Sequence, residues 1–126
     1  MKVTLDMVVF NYLDRPIFDI YVDGKGGDTS MGYPSTGGST MSGIEFQLGP
    51  KKVTWVLDGP EGTPRNGEKV IAKNNVSLSD VPSDAQYLAV YIYPDETVEL
   101  QATKHYPRAS ARAKMEIEKL EKKRGE

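Results

Sequence analysis

Residues 87–100 read YLAVYIYPDETVEL, and the alternation in this stretch decides the fold. Leu88, Val90 and Ile92 fall on one side of an extended chain, and Tyr87, Ala89, Tyr91 and Tyr93 on the other, because successive strand side chains point to opposite faces. One face must meet the core. The tyrosine face is then left either for a terminal helix or for a protein partner, where tyrosines serve as rigid anchors. Pro94 sets φ for a turn and Asp95 offers a local acceptor, so a tight hairpin joins this strand to the next, Glu96 to Lys104.

The same period of two recurs on either side. In IFDIYVD, Phe18, Ile20 and Val22 alternate with Asp19, Tyr21 and Asp23. GIEFQL places Ile44, Phe46 and Leu48 inward, and KKVTWVL does the same for Val53, Trp55 and Leu57. Val3 to Tyr12 and Glu68 to Lys73 complete a set of about seven strands, with the turn-rich GPEGTPRNGE as a second connection. No helical pattern separates the strands, so the expected fold is mainly β, an antiparallel β-sandwich.

Only the C-terminus changes period. From Pro107 onward the chain holds strong helix formers, and Ala109, Ala113, Ile117 and Leu120 make a narrow apolar stripe. The organisation expected is a sandwich over 1–106 and a C-terminal α-helix over 107–126, packed on the sandwich or joining a partner.

Composition removes several function classes. At 126 residues the chain is one domain, and it has no run approaching the roughly 18 apolar residues that span a bilayer. Its first residues interrupt their apolar character at Lys2, Thr4 and Asp6, unlike a secretory signal, so nothing is expected to export the chain as written. The absence of cysteine excludes disulfides, a thiol nucleophile and a thiolate metal site. Residues 1–106 carry nine Lys/Arg against 14 Asp/Glu, and residues 107–126 carry seven against four. The body is acidic and the tail's cations are interleaved with glutamates, so no nucleic-acid partner is expected.

The stretch DGKGGDTSMGYPSTGGSTMSG, Asp23 to Gly43, holds seven of the 12 glycines. Gly24, Gly26 and Gly27 follow a strand, but no Lys-Ser or Lys-Thr pair and no helix follow them in P-loop register. Asp23 and Asp28 do not meet the EF-hand spacing, so no metal and no cofactor are expected there. The stretch reads as a long surface connection, and connections of this length are usually functional or disordered. His105, the lone histidine, follows a strand and reads as a partly exposed edge residue rather than a general base; no nucleophile elbow accompanies it, and no catalytic residue is assigned. Asp14 and Arg15 in NYLDRP either bond to backbone or face outward. The expected partner-contact residues are Asp14, Arg15, Gly26, Gly27, Asp28, Tyr33, Tyr87, Tyr91 and Tyr93.

NYLDRPIFDIYVDGKGG, PSTGGST, VTW and YLAVYIYPDETVELQATKHYP together resemble a family of small bacterial proteins catalogued as domain of unknown function three-three-zero-four. The matching positions are Asn11, Tyr12, Asp14, Arg15, Ile17, Tyr21 and Val22; Gly26, Gly27, Gly37 and Gly38; Val53 and Trp55; and Tyr87, Val90, Tyr93, Pro94 and Asp95. The chain departs from the family at Met41 and Ser42, where members commonly carry a Cys-Cys pair. Genes of this family look like neighbours of type VI secretion effectors, notably phospholipases. The resemblance therefore implies an immunity protein that binds a cognate toxic lipase and blocks it, without being an enzyme itself. It also implies the periplasm, with the cytoplasm as alternative, and membrane contact only through a native lipid anchor or not at all. The alternative function is a small-ligand-binding or structural module of the cell envelope.

Overall fold

The alternating strands form where the sequence predicts them, and three further strands join them. The computed structural model describes residues 1–33, 37–123 and 125. The strands are β1 (Lys2–Asn11), β2 (Ile17–Val22), β3 (Lys25–Ser30), β4 (Gly37–Gln47), β5 (Gly49–Lys51), β6 (Val53–Leu57), β7 (Lys69–Ile71), β8 (Val76–Leu78), β9 (Tyr87–Ile92) and β10 (Val98–Thr103). The helix is α1 (Ala111–Lys123).

Eight strands form one continuous sheet in the order β10-β9-β1-β4-β3-β2-β6-β7, and β5 pairs with β8. Strand β4 serves both halves, pairing with β1 along most of its length and with β3 at Ser30↔Gly38. The sheet folds over so that Leu5, Met7, Val9, Leu88, Val90 and Ile92 of one half share a single core with Ile17, Ile20, Val22, Val53 and Trp55 of the other. Burying each of these large side chains contributes roughly 1.5–3 kcal/mol. All strand pairs are antiparallel except β1·β9, which run parallel from Asp6↔Tyr87 to Asn11↔Ile92. β1 is thereby enclosed between two neighbours, which is why Met7 to Val9 are almost wholly buried.

The glycine-rich stretch is not the long connection expected. Asp23 and Gly24 have φ of 52° and 75° and form the whole link between paired Val22 and Lys25. A two-residue turn with both φ positive matches the twist of a hairpin, and Asp-Gly suits it. β3 follows at once, and Gly26 is needed there because a Cβ would sit 2.7 Å from Met7 Cε and 2.8 Å from the Ile20 carbonyl oxygen. Of this stretch, Pro34, Ser35 and Thr36 lie outside the described residues.

A bulge in β2 also corrects the expected alternation. Asp19 has φ of 49° and the register against β3 shifts between Ile17 and Ile20, so both isoleucines face the core and Phe18 turns half outward.

On the outer face of β9 the helix supplies the third layer. Ala109, Ala113, Ile117 and Leu120 pack on Tyr12, Ala89, Tyr91 and Tyr93. The helix starts at Ala111, later than Pro107, because Ser110 caps it: Ser110 Oγ accepts the Ala113 N–H at 3.1 Å.

Candidate functional site

The turn after β1 is fixed by one side chain. Asn11 is fully buried; its Oδ1 accepts the Leu13 N–H at 2.9 Å and its Nδ2 donates to the Arg15 carbonyl at 2.9 Å. Asparagine suits this role because it carries both an acceptor and donors on a short stem. Arg15 is used inside the protein: Nε donates to the Asp58 carbonyl (2.9 Å), and its two terminal nitrogens donate to the Pro64 carbonyl and Asn66 Oδ1 (2.8 Å each). One guanidinium therefore clamps the β6–β7 connection against the first turn, and Asp14 beside it stays exposed. The Tyr33 N–H donates to the Leu13 carbonyl at 2.7 Å, tying the chain beyond β3 to the same turn.

The β9–β10 hairpin lies against this turn. The rings of Tyr12 and Tyr93 stack at 5.7 Å and 11°, and the Tyr12 N–H donates to the Ile92 carbonyl at 2.9 Å. Asp95 Oδ1 accepts from the Thr97 N–H (3.1 Å) and hydroxyl (2.5 Å), closing the hairpin as the sequence predicts. The Thr97 hydroxyl bond, aided by the Thr97 amide and by Arg112 against the pull of burial, holds the Asp95 carboxyl below its usual range. Where the two turns meet the last turns of α1, a groove of about 450 Å³ opens, lined by Leu13, Asp14, Tyr33, Pro94, Leu120 and Lys123. Its floor is apolar or aromatic, and its rim carries one carboxylate and one ammonium. Such a concavity can seat an apolar group while its charges orient what surrounds it.

The remaining predicted contacts fall elsewhere. Tyr91 and Tyr93 are fully buried under α1 and cannot touch a partner, which corrects that expectation. The physical reason is their polar tips: Tyr91 Oη donates to the Arg108 carbonyl, and Tyr93 Oη to Glu99 Oε1 at 2.6 Å. Ser110 Oγ donates to the same Glu99 oxygen at 2.6 Å, and the Arg112 guanidinium lies 4.0 Å over the Tyr93 ring. Burial, then the Glu99 carboxylate, push the Tyr91 phenol up to about 12; burial and the Glu99 bond drive Tyr93 upward as well. Gly26, Gly27 and Asp28 lie within β3, with Asp28 only 4% exposed and its Oδ1 accepting the Thr29 N–H at 2.8 Å, so they are strand interior rather than loop tip. Tyr87 is half-buried against Tyr106, edge to face at 5.5 Å.

Two of the nine predicted contact residues, Asp14 and Tyr33, meet at the groove, with Arg15 supporting it from behind. Leu13, Pro94, Leu120 and Lys123 were not among them. Pro94 and Leu120 each carry a local signal, as turn former and stripe residue, but only the packing of α1 across β9 brings them together.

His105 is exposed at the end of β10, its carbonyl accepting the Thr103 hydroxyl at 2.7 Å. The Asp23 carboxyl is held below its usual range despite burial, by the Lys52 N–H (2.6 Å) and the Lys51 ammonium (2.9 Å). Among the described residues no three His, Cys, Asp or Glu side chains gather as metal ligands. The chain matches no family model, no curated protein and no solved structure.

Proposed function

We propose that this chain is an immunity protein that binds a toxic phospholipase or lipase delivered by type VI secretion and inhibits it by covering its substrate entrance. The observation that carries the reading is the meeting of two of the four stretches on which the family resemblance rests. NYLDR and YPD stack through Tyr12 and Tyr93 and together supply Leu13, Asp14 and Pro94 to one open groove. An inhibitor of this type needs a rigid surface and no bond-making chemistry. Arg15 and Asn11 supply that rigidity beneath Asp14. Rigidity before binding lowers the ordering cost of association. The acidic body favours a basic effector surface and a faster encounter. The periplasm is where such a lipase would be met.

The groove's size also suits a small apolar ligand, which is the competing reading of a ligand-binding envelope module. One experiment addresses both. The chain is co-expressed with the lipase encoded beside it, and complex formation and lipase activity are measured with the native chain, with Asp14→Lys and with His105→Ala. A stable complex with lost lipase activity, weakened by Asp14→Lys and untouched by His105→Ala, is the expected result. No complex at micromolar concentration would overturn the immunity reading.

A further inference from the structure

Burial sorts the charges of the C-terminal layer. Across 104–123 the exposed cations are Lys104, Arg108, Lys114, Lys119, Lys122 and Lys123, whereas Glu118 is the one exposed carboxylate. Glu116 and Glu121 are half-buried, and Arg112 lies over Tyr93. Lys104 and Lys119 have carboxylates at 3.5 and 3.8 Å (Asp84 and Glu116), and the other four have no ion-pair partner among the described residues. The glutamates that interleave this segment in sequence are thus mostly drawn inward in space. What faces solvent is a cationic layer on an otherwise acidic chain. Set in that layer are Tyr106 and Met115, exposed by 55% and 60% and two of the five large apolar side chains so exposed among the described residues.

We infer that this α1 face docks on an anionic lipid surface. Clusters of four to eight Lys/Arg are drawn to anionic headgroups, and amphipathic side chains standing among them enter the headgroup boundary. The apolar stripe of α1 is already spent on the tyrosine face, so attachment is electrostatic, reversible and strongly weakened by salt. Nucleic acid is the poorer partner. The cations lie along a convex helix and its lead-in, and a half-buried Tyr87 against Tyr106 leaves no stacking platform of free rings. The inference stands apart from the lipase reading and needs no lipase for its test.

The test is co-sedimentation of the full chain with phosphatidylglycerol-containing vesicles and with phosphatidylcholine vesicles, at low and high salt. Binding to the anionic vesicles alone, lost at high salt, is expected. Lys119→Gln with Lys122→Gln should weaken it roughly 25-fold, since each cation near an anionic surface is worth about fivefold. The same neutralisation on the far half of the sheet, Lys52→Gln with Lys69→Gln, should leave it unchanged, and Met115→Ser should weaken it without altering thermal stability. Equal binding to both lipids, no binding to anionic vesicles at low salt, an equal effect of the far-side pair, or tighter binding to duplex DNA would each overturn the inference.

Discussion

The two faces of β9 are built from different chemistry. Its inner face presents Leu88, Val90 and Ile92 to an aliphatic core that spans both halves of the sheet. Its outer face presents Tyr91 and, just past the strand's end, Tyr93, stacked on Phe10 and Tyr12 and bonded through their hydroxyls to the Arg108 carbonyl of the α1 lead-in and to Glu99 of β10. Hydrophobic burial holds the first face and has no direction. The tyrosines of the second are equally buried but specific, since each carries a polar tip that must be satisfied. The inner face sets stability, and the outer face fixes where α1 lies and hence where the groove opens.

The largest effect should come from the inner face. Val90→Asp places an unpaired carboxylate in the shared core and should remove more than about 4 kcal/mol, read as loss of the cooperative urea transition. A native-like transition in that variant would break the contrast. Alkaline pH should act next, and on the outer face alone. Burial, with Tyr91 and Glu99 nearby, raises Tyr12 to about 12, and burial with Glu99 raises Tyr91 to about 12, from an ordinary 10.0. A phenol whose folded value is raised holds its proton more tightly in the folded state. The stability it contributes is therefore complete below pH 10.0 and lost as pH rises toward 12. Urea midpoints should be level below that window and fall across it, together with phenolate absorbance.

Smaller changes sharpen the same contrast. Tyr93→Phe keeps the stack on Tyr12 but removes the donor to Glu99, and should cost about 1.5 kcal/mol by urea unfolding. Ser110→Ala removes the helix cap together with a donor to Glu99 and should cost about 1 kcal/mol, with the loss read chiefly in helical circular dichroism and in hydrogen exchange of α1. Equal loss of protection in β9 would show that the two faces are not separable.

Much of this architecture was legible. The alternation of β9, the Pro94-Asp95 hairpin and the apolar stripe of α1 are local patterns, and each appears where it was read. The glycine-rich stretch was misread because Gly26, Gly27, Asp28 and Thr29 have the composition of a loop. The Asp23-Gly24 pair was a strong hairpin signal, outweighed by the glycines that follow it. Those glycines serve a packing need, the approach of β3 to Met7, that no local pattern records. β5 and β8 are three residues each, too short for a period to declare itself. The parallel β1·β9 pair and the groove are products of topology. Asp14 and Tyr33 could be named singly, but their meeting with Leu120 depends on α1 crossing the tyrosine face.

On the proposed function, part of a lipase seats on the groove between the two turns and the end of α1. Hydrogen–deuterium exchange of the complex against the free chain tests it most directly. New protection at Leu13–Asp14, at Asp95 and in the last turn of α1, with the far strands β6 and β7 unchanged, is the expected result. Protection confined to β6 and β7, or none in a complex that still inhibits the lipase, would contradict it.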